Sequence, residues 1–154
     1  MILNIKTAVR SHIPEMVAVI ESYTDESLRK TELYDKYYFG SSLLKSLLTA
    51  VITCDKTVRG VVICCESKIP DSCEIDVLYI SDGFQRRGFG KKLLSHALRE
   101  MRAKRYKTAF LWINENNEAA INFFTKFGFE CDGKRRRDTE INNDTFEKRF
   151  RIDI

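Results

Sequence analysis

The residues best spaced for chemistry are Gln85-Arg86-Arg87-Gly88-Phe89-Gly90. They follow an alternating stretch, Glu74 to Ile80, that breaks at Asp82-Gly83. They precede a helical stripe of Leu93, Leu94, Ala97, Leu98 and Met101, with Lys92, Ser95, Arg99 and Arg102 off it. A helix that starts here leaves its first amide N–H groups without intrahelical partners, and its dipole favours negative charge at that end. Glycine at positions 88 and 90 removes two side chains from the approach. A strand feeding such a turn is a site for an anion, most naturally a phosphate. The bland alternative is a helix entered through a tight glycine turn.

The flanking elements must hold that turn. Between Cys73 and Arg102 the pattern is strand, turn, amphipathic helix. Ile75, Val77 and Tyr79 are expected on one strand face, with Glu74, Asp76 and Leu78 on the other. Upstream, Ile2 to Ala8 reads as a strand. A helix carrying Ile13, Met16, Val17 and Ile20 follows, capped by Ser11 and with Pro14 in its first turn. Thr24 or Asp25 could cap a helix carrying Leu28, and Leu43, Leu44, Leu47 and Leu48 suggest another. The aromatic run Tyr34-Asp35-Lys36-Tyr37-Tyr38-Phe39-Gly40 lies between them and either packs on a sheet or lines a pocket. Val51 to Cys54 and Val58 to Cys65 read as strands joined at Asp55-Lys56-Thr57, and with the next strand they form an antiparallel meander. Thr108 to Ile113 is a further strand. Ala119, Ala120, Phe123, Phe124 and Phe127 then make a helical face stopped by Gly128, and Phe129 to Cys131 and Thr145 to Ile152 supply the last strands.

The 154 residues fit one domain, 1–154, with an ordinary apolar fraction of 44% and charged fraction of 31%. No apolar run approaches the roughly 20 residues of a membrane span. The N-terminus shows no signal-peptide pattern. Five cysteines without CxxC spacing read as free thiols in a reducing cytoplasm, with Cys64 and Cys65 on opposite strand faces. The two histidines, His12 and His96, are far apart, so no metal site is expected. A formal net charge of +4 suits a polyanionic ligand without requiring one. The cluster Lys134-Arg135-Arg136-Arg137 reads as a solvated turn between strands rather than a nucleic-acid surface, because no aromatic residues interleave with it.

The segment Gln85-x-x-Gly88-x-Gly90 after a strand resembles the acetyl-CoA-binding motif of the GNAT superfamily of N-acetyltransferases. Asn117-x-x-Ala120-x-x-Phe123-Phe124-x-Lys126-x-Gly128-Phe129 is similar to the family's segment after its fifth strand. The resemblance spans nearly the whole chain and is specific from Glu74 to Phe129. It implies an α/β (α+β) fold with a mixed, mostly antiparallel sheet of six to seven strands and about four helices. It also implies acetyl-CoA and an amine acceptor as partners, no membrane contact, and room for a homodimer.

By that resemblance, the amides from Gln85 to Gly90 hold the pyrophosphate, with charge from Arg86, Arg87 and Lys91. The backbone of Leu78, Tyr79 and Ile80 serves the pantetheine arm and one oxyanion donor. Asn117 and Phe124 contact the coenzyme, with a helix cap as the alternative for Asn117. Glu74 is expected as general base, where histone-type members place a glutamate, and Asp76 on the same face is the second choice. Two departures stand out. Phe124 occupies the place of a tyrosine that protonates the leaving thiolate, and Tyr34, Tyr37, Tyr38 and Tyr79 are the candidate substitutes. Trp112 stands where the ribosomal-protein N-terminal acetyltransferases carry a glutamate. The acceptor class stays open: a small amine, an amino acid, an antibiotic or a peptide, with a protein acetyltransferase taking a lysine or N-terminal acceptor as the enzyme rival. A catalytically silent CoA-binding module is the rival of another class.

Overall fold

A computed structural model describes residues 1–23, 34–139 and 144–154. In chain order it contains β1 (Leu3–Thr7), a 3-10 turn at Arg10–His12, α1 (Ile13–Glu21), α2 (Lys36–Lys45), β2 (Leu48–Cys54), β3 (Thr57–Glu66) and β4 (Ser72–Ile80). Then follow α3 (Phe89–Ala103), β5 (Thr108–Asn114), α4 (Glu118–Phe127), β6 (Glu130–Arg137) and β7 (Phe146–Asp153). The strands form one seven-stranded sheet in the order β1-β2-β3-β4-β5-β7-β6, antiparallel except for the β4–β5 pair. This is the mixed, mostly antiparallel sheet that the sequence implies.

Helices cover both faces, which is why β2 is buried along its whole length and the middle of β3 is a continuous apolar run. On one face, the α3 stripe of Phe89, Leu93, Leu94, Ala97, Leu98 and Met101 is buried against Ala50, Ile52, Val62 and Leu111. On the other, Met16, Val19 and Ile20 of α1 and Phe39 of α2 pack on Val51, Val61 and Ile63. Cys64 lies in the first core and Cys65 packs against the second, as alternation requires.

Several sequence expectations need correction. His12, not Ser11, is the N-cap of α1, and Ser11 sits in the 3-10 turn. Tyr37, Tyr38 and Phe39 belong to α2, because the Asp35 carboxylate accepts from the Tyr37 and Tyr38 N–H groups at 3.0 Å each and caps the helix. That helix ends at Lys45, so Leu48 opens β2 instead of extending it. Ala119 is exposed, and α4 buries Phe124 alone among its residues. Lys134 to Arg137 are strand residues of β6, at the exposed edge of the sheet. The helix expected around Thr24, Asp25 and Leu28 lies outside the described residues.

Two bulges redirect side chains. Ile52 pairs with Gly60 but Thr53 with Val58, so Arg59 is an extra residue on β3. Ile63 pairs with Val77 but Cys64 with Ile75, so Asp76 is an extra residue on β4. The second bulge breaks the alternation expected along β4. Cys73 and Ile75 enter the core under α3, whereas Val77 enters the core under α1 and Tyr79 packs against it. Glu74 therefore shares its face with Val77 and Tyr79, and simple alternation no longer places Asp76 beside it.

Candidate functional site

The site is built where β4 and β5 part. Their ladder covers only Ser72↔Thr108, Cys73↔Ala109 and Glu74↔Phe110. Beyond it, β4 keeps its pairing with β3 as far as Ile80, and β5 keeps its pairing with β7 as far as Asn114. The two strands thus open a wedge whose facing backbone groups are free of the β4–β5 ladder. Such a wedge can accept an extended, amide-bearing chain as if it were a partial strand.

At the mouth of the wedge lies the Gln85–Gly90 turn. Gly88 caps α3 with φ +82°, and Arg86 before it also has a positive φ of 62°. A Cβ on Gly88 would meet nothing within 4 Å, so this glycine answers to backbone conformation and the space above it is open. A Cβ on Gly90 would sit 3.3 Å from the Phe123 ring, so this second glycine answers to the approach of α4. No side chain caps α3, no acid stands in its first turn, and its first ladder bond runs from the Lys92 N–H to the Gly88 carbonyl at 3.0 Å. The N–H groups of Phe89, Gly90 and Lys91 have no helical partner and face the dipole's positive end. Arg86, Arg87 and Lys91 are exposed around them. An uncapped helix start, open space, basic side chains and a split strand pair together fit a diphosphate joined to an extended arm.

Glu74 is half-buried and is the last β4 residue paired on both sides, with Cys65 and with Phe110. It stands at the apex of the wedge. Asp76 is exposed on its bulge. Leu78 and Tyr79 are half-buried along the free edge, and Ile80 is buried. Asn117 is the N-cap of α4, its Oδ1 accepting from the Ala120 N–H at 3.1 Å, so the capping alternative is the one observed. Phe124 is only 5% exposed, edge-on to Phe123 and Phe129 at 5.1 and 5.3 Å between ring centres. The tyrosines divide: Tyr37 is 74% exposed, while Tyr34 packs against Tyr38 and Tyr79 on the Glu74 face of the sheet.

Two residues that sequence reasoning passed over belong to this neighbourhood. The Tyr23 hydroxyl donates to the Ile80 carbonyl at 2.6 Å and accepts from the Gln85 side-chain amide at 2.9 Å. Burial pushes its pKa up to about 12. Tyr23 ties the end of α1 to the Gln85–Gly90 turn, and its spacing after Met16 and Ile20 was the available signal. Arg59 lays its guanidinium 4.3 Å from the centre of the Phe84 ring. Its signal was a lone charge inside an apolar strand. Two cavities elsewhere, about 230 Å³ beside Leu43 and Glu100 and about 510 Å³ beside Glu130 and Arg151, touch none of the turn residues.

The basic stretch of β6 is engaged within the sheet. Arg135 bonds Glu115 and lies 3.7 Å from the Phe146 ring centre, while Arg136 bonds Glu147 and lies 4.1 Å from that of Trp112. The Arg135 hydrogen bond holds the Glu115 carboxyl below its usual range.

The profile of the acetyltransferase (GNAT) family matches residues 14–129 of this chain. A protein of Mycobacterium tuberculosis named as an N-acetyltransferase is 37% identical over 65 residues, which cover 42% of this chain and 36% of that protein. An uncharacterized N-acetyltransferase of Methanocaldococcus jannaschii is 25% identical over 145 residues, covering 75% of this chain and 64% of that protein. Neither relative is matched over two thirds of its length. The fold matches that of the PaiA N-acetyltransferase of Thermoplasma acidophilum, crystallised with coenzyme A, at a TM-score of 0.83, with 18% identity and full coverage of both chains.

Proposed function

Because the chain belongs to the acetyltransferase (GNAT) family, we propose that it transfers an acetyl group from acetyl-CoA to a primary amine by direct attack. The observation that carries this reading is the wedge between β4 and β5, opening onto an uncapped helix start. When bound, acetyl-CoA supplies the activated thioester. The α3 amides and the Gln85–Gly90 turn would hold the phosphates, and the edge of β4 released from β5, from Leu78 to Ile80, would line the arm.

An alkyl ammonium, with a pKa near ~10.4, has no lone pair to attack with. Glu74, half-buried at the apex of the wedge, takes that proton directly or through one water. A backbone N–H on the edge of β4 faces the negative charge that develops on the carbonyl oxygen. Holding both reactants in line contributes up to roughly 7–11 kcal/mol. Phe124 has no proton to give, so the site would release a coenzyme thiol, with a pKa near ~8.5, as the thiolate rather than protonate it from this position. Phe124 also favours a second reading, a CoA-binding module without turnover. Thiol release from acetyl-CoA over a panel of small amines, amino acids and peptides separates the two. Amine-dependent release supports the enzyme, and tight binding with no release under any acceptor supports the module.

A further inference from the structure

We infer that Arg59 of β3, acting with Arg87, forms a cationic clamp for the phosphate end of the coenzyme, a role that rests on the proposed acetyl-CoA site. Arg59 is the extra residue of the β2–β3 bulge, and a bulge re-aims the side chain it carries. Its backbone carbonyl accepts from the Ser81 N–H at 2.7 Å, which fastens it to the loop that leads into the turn. Its guanidinium lies 4.3 Å from the centre of the Phe84 ring, and that of Arg87 lies 5.1 Å from the same ring. Phe84 in turn packs against Phe89, the first residue of α3, at 6.1 Å between ring centres. Two cations from different elements are thereby gathered on one ring at the positive end of a helix.

Nothing described balances them. Among the described residues neither Arg59 nor Arg87 has a carboxylate partner, whereas Arg135, Arg136, Arg149 and Arg151 each have one. The nearby Asp82 carboxylate accepts from the Gly83 N–H at 3.1 Å, within its own loop. The Arg59 Nε is buried with no hydrogen-bond acceptor among the described residues. Burying a guanidinium N–H without an acceptor is unfavourable, and so is collecting like charges at a helix N-terminus. Both penalties are relieved together by a multiply charged anion. Stacking alone explains the guanidinium over Phe84 but not the orphaned Nε or the second cation. Planar guanidinium also suits phosphate oxygens better than ammonium does.

The test is calorimetric titration of wild type, Arg59→Gln and Arg59→Lys with coenzyme A, dephospho-coenzyme A and pantetheine, with thermal midpoints measured alongside. In the Gln variant the preference for coenzyme A over pantetheine should fall roughly tenfold, and the Lys variant, which keeps the charge but not the planar fork, should fall by less. A fall that persists with dephospho-coenzyme A assigns the contact to the diphosphate; one that vanishes assigns it to the 3′-phosphate. An unchanged preference overturns the inference. So do equal losses in the Gln and Lys variants, or an equal loss for pantetheine, because these mark a structural role. If the variants do not fold, stabilisation of wild type by inorganic pyrophosphate decides: a raised midpoint supports the clamp and an unmoved one defeats it. If wild type binds none of the three coenzyme forms, the acetyl-CoA reading itself fails and Arg59 falls with it.

Discussion

The two ends of β4 are built in different ways. At its N-terminal end the strand is hydrogen-bonded on both sides, to β3 and to β5, and Glu74 is the last residue so held. At its C-terminal end one edge is released, and the chain passes through Ile80 into a turn with positive φ at Arg86 and Gly88. The held end fixes a side chain. The released end exposes backbone. Rigid pairing suits a proton acceptor, whose reach must be set within a few tenths of an ångström, and an open edge with an uncapped helix suits a long charged ligand. If the division of labour is right, damage at one end should affect turnover, and damage at the other should affect binding.

The largest effect is expected at the held end. Glu74→Gln keeps the size of the side chain and removes its basicity, so turnover should drop by about 10²–10⁴-fold with coenzyme A affinity unchanged. Steady-state kinetics across pH, paired with calorimetry, check both halves. A variant that keeps the wild-type pH–rate profile would remove Glu74 from the base role. At the released end, Gly88→Val forces a β-branched residue to φ +82°, a strain of about 1–3 kcal/mol that closes or distorts the turn. Coenzyme A affinity should weaken roughly 10–100-fold. Gly90→Ala makes a useful contrast, since its Cβ would press on Phe123 at 3.3 Å and so perturb α4 rather than the turn. Normal coenzyme A binding by Gly88→Val would defeat the turn assignment.

The released end was also the more legible one. Glycine spacing, a following amphipathic stripe and the physics of helix starts are local properties, so the turn and α3 could be read directly from Gln85 to Met101. The held end depends on partners far away in sequence. The Asp76 bulge exists because Ile63 and Cys64 on β3 are opposed by three residues of β4, and no count along β4 alone reveals that. Arg135 and Arg136 read as a polar turn for the same reason. Their engagement with Phe146, Trp112, Glu115 and Glu147 appears only once β5, β6 and β7 are laid side by side. The helix that Leu43 and Leu44 suggest starts earlier than expected, at Lys36, so it takes in the aromatic run, and Asp35 as its cap was the overlooked cue.

A smaller effect is expected at Tyr23, the strut between α1 and the turn. Removing its hydroxyl in Tyr23→Phe deprives the Ile80 carbonyl and the Gln85 amide of a partner, costing about 1–3 kcal/mol. Its pKa is raised to about 12 by burial, so the folded protein holds this proton more tightly than the unfolded chain does. That contribution is fully present below pH ~10, the ordinary tyrosine value, and is lost as pH rises towards the folded value. Thermal midpoints should therefore decline more steeply between those limits in wild type than in Tyr23→Phe. Parallel curves would mean that Tyr23 ionises no later in the folded state.

The smallest effect is expected at Asp76, and it tests the division most sharply. Had β4 been a regular strand, Asp76 would flank Glu74 on one face, two carboxylates competing for one proton, and neutralising it would shift the pH dependence of turnover. The bulge makes Asp76 the extra residue of the β3–β4 register, exposed to solvent, while Val77 and Tyr79 take the positions on the Glu74 face. Asp76→Asn should then change turnover within about twofold and leave the pH–rate profile in place. Deleting Asp76 outright is a different perturbation. It would remove the extra residue and restore regular pairing opposite Ile63 and Cys64, leaving Val77 and Tyr79 on the Glu74 face but abolishing the local bend that the bulge gives β4 before the wedge. A silent Asp76→Asn beside an inactive deletion would show that β4 uses this position for its backbone. A large loss in Asp76→Asn would return the carboxylate to the chemistry and erase the distinction between the two ends.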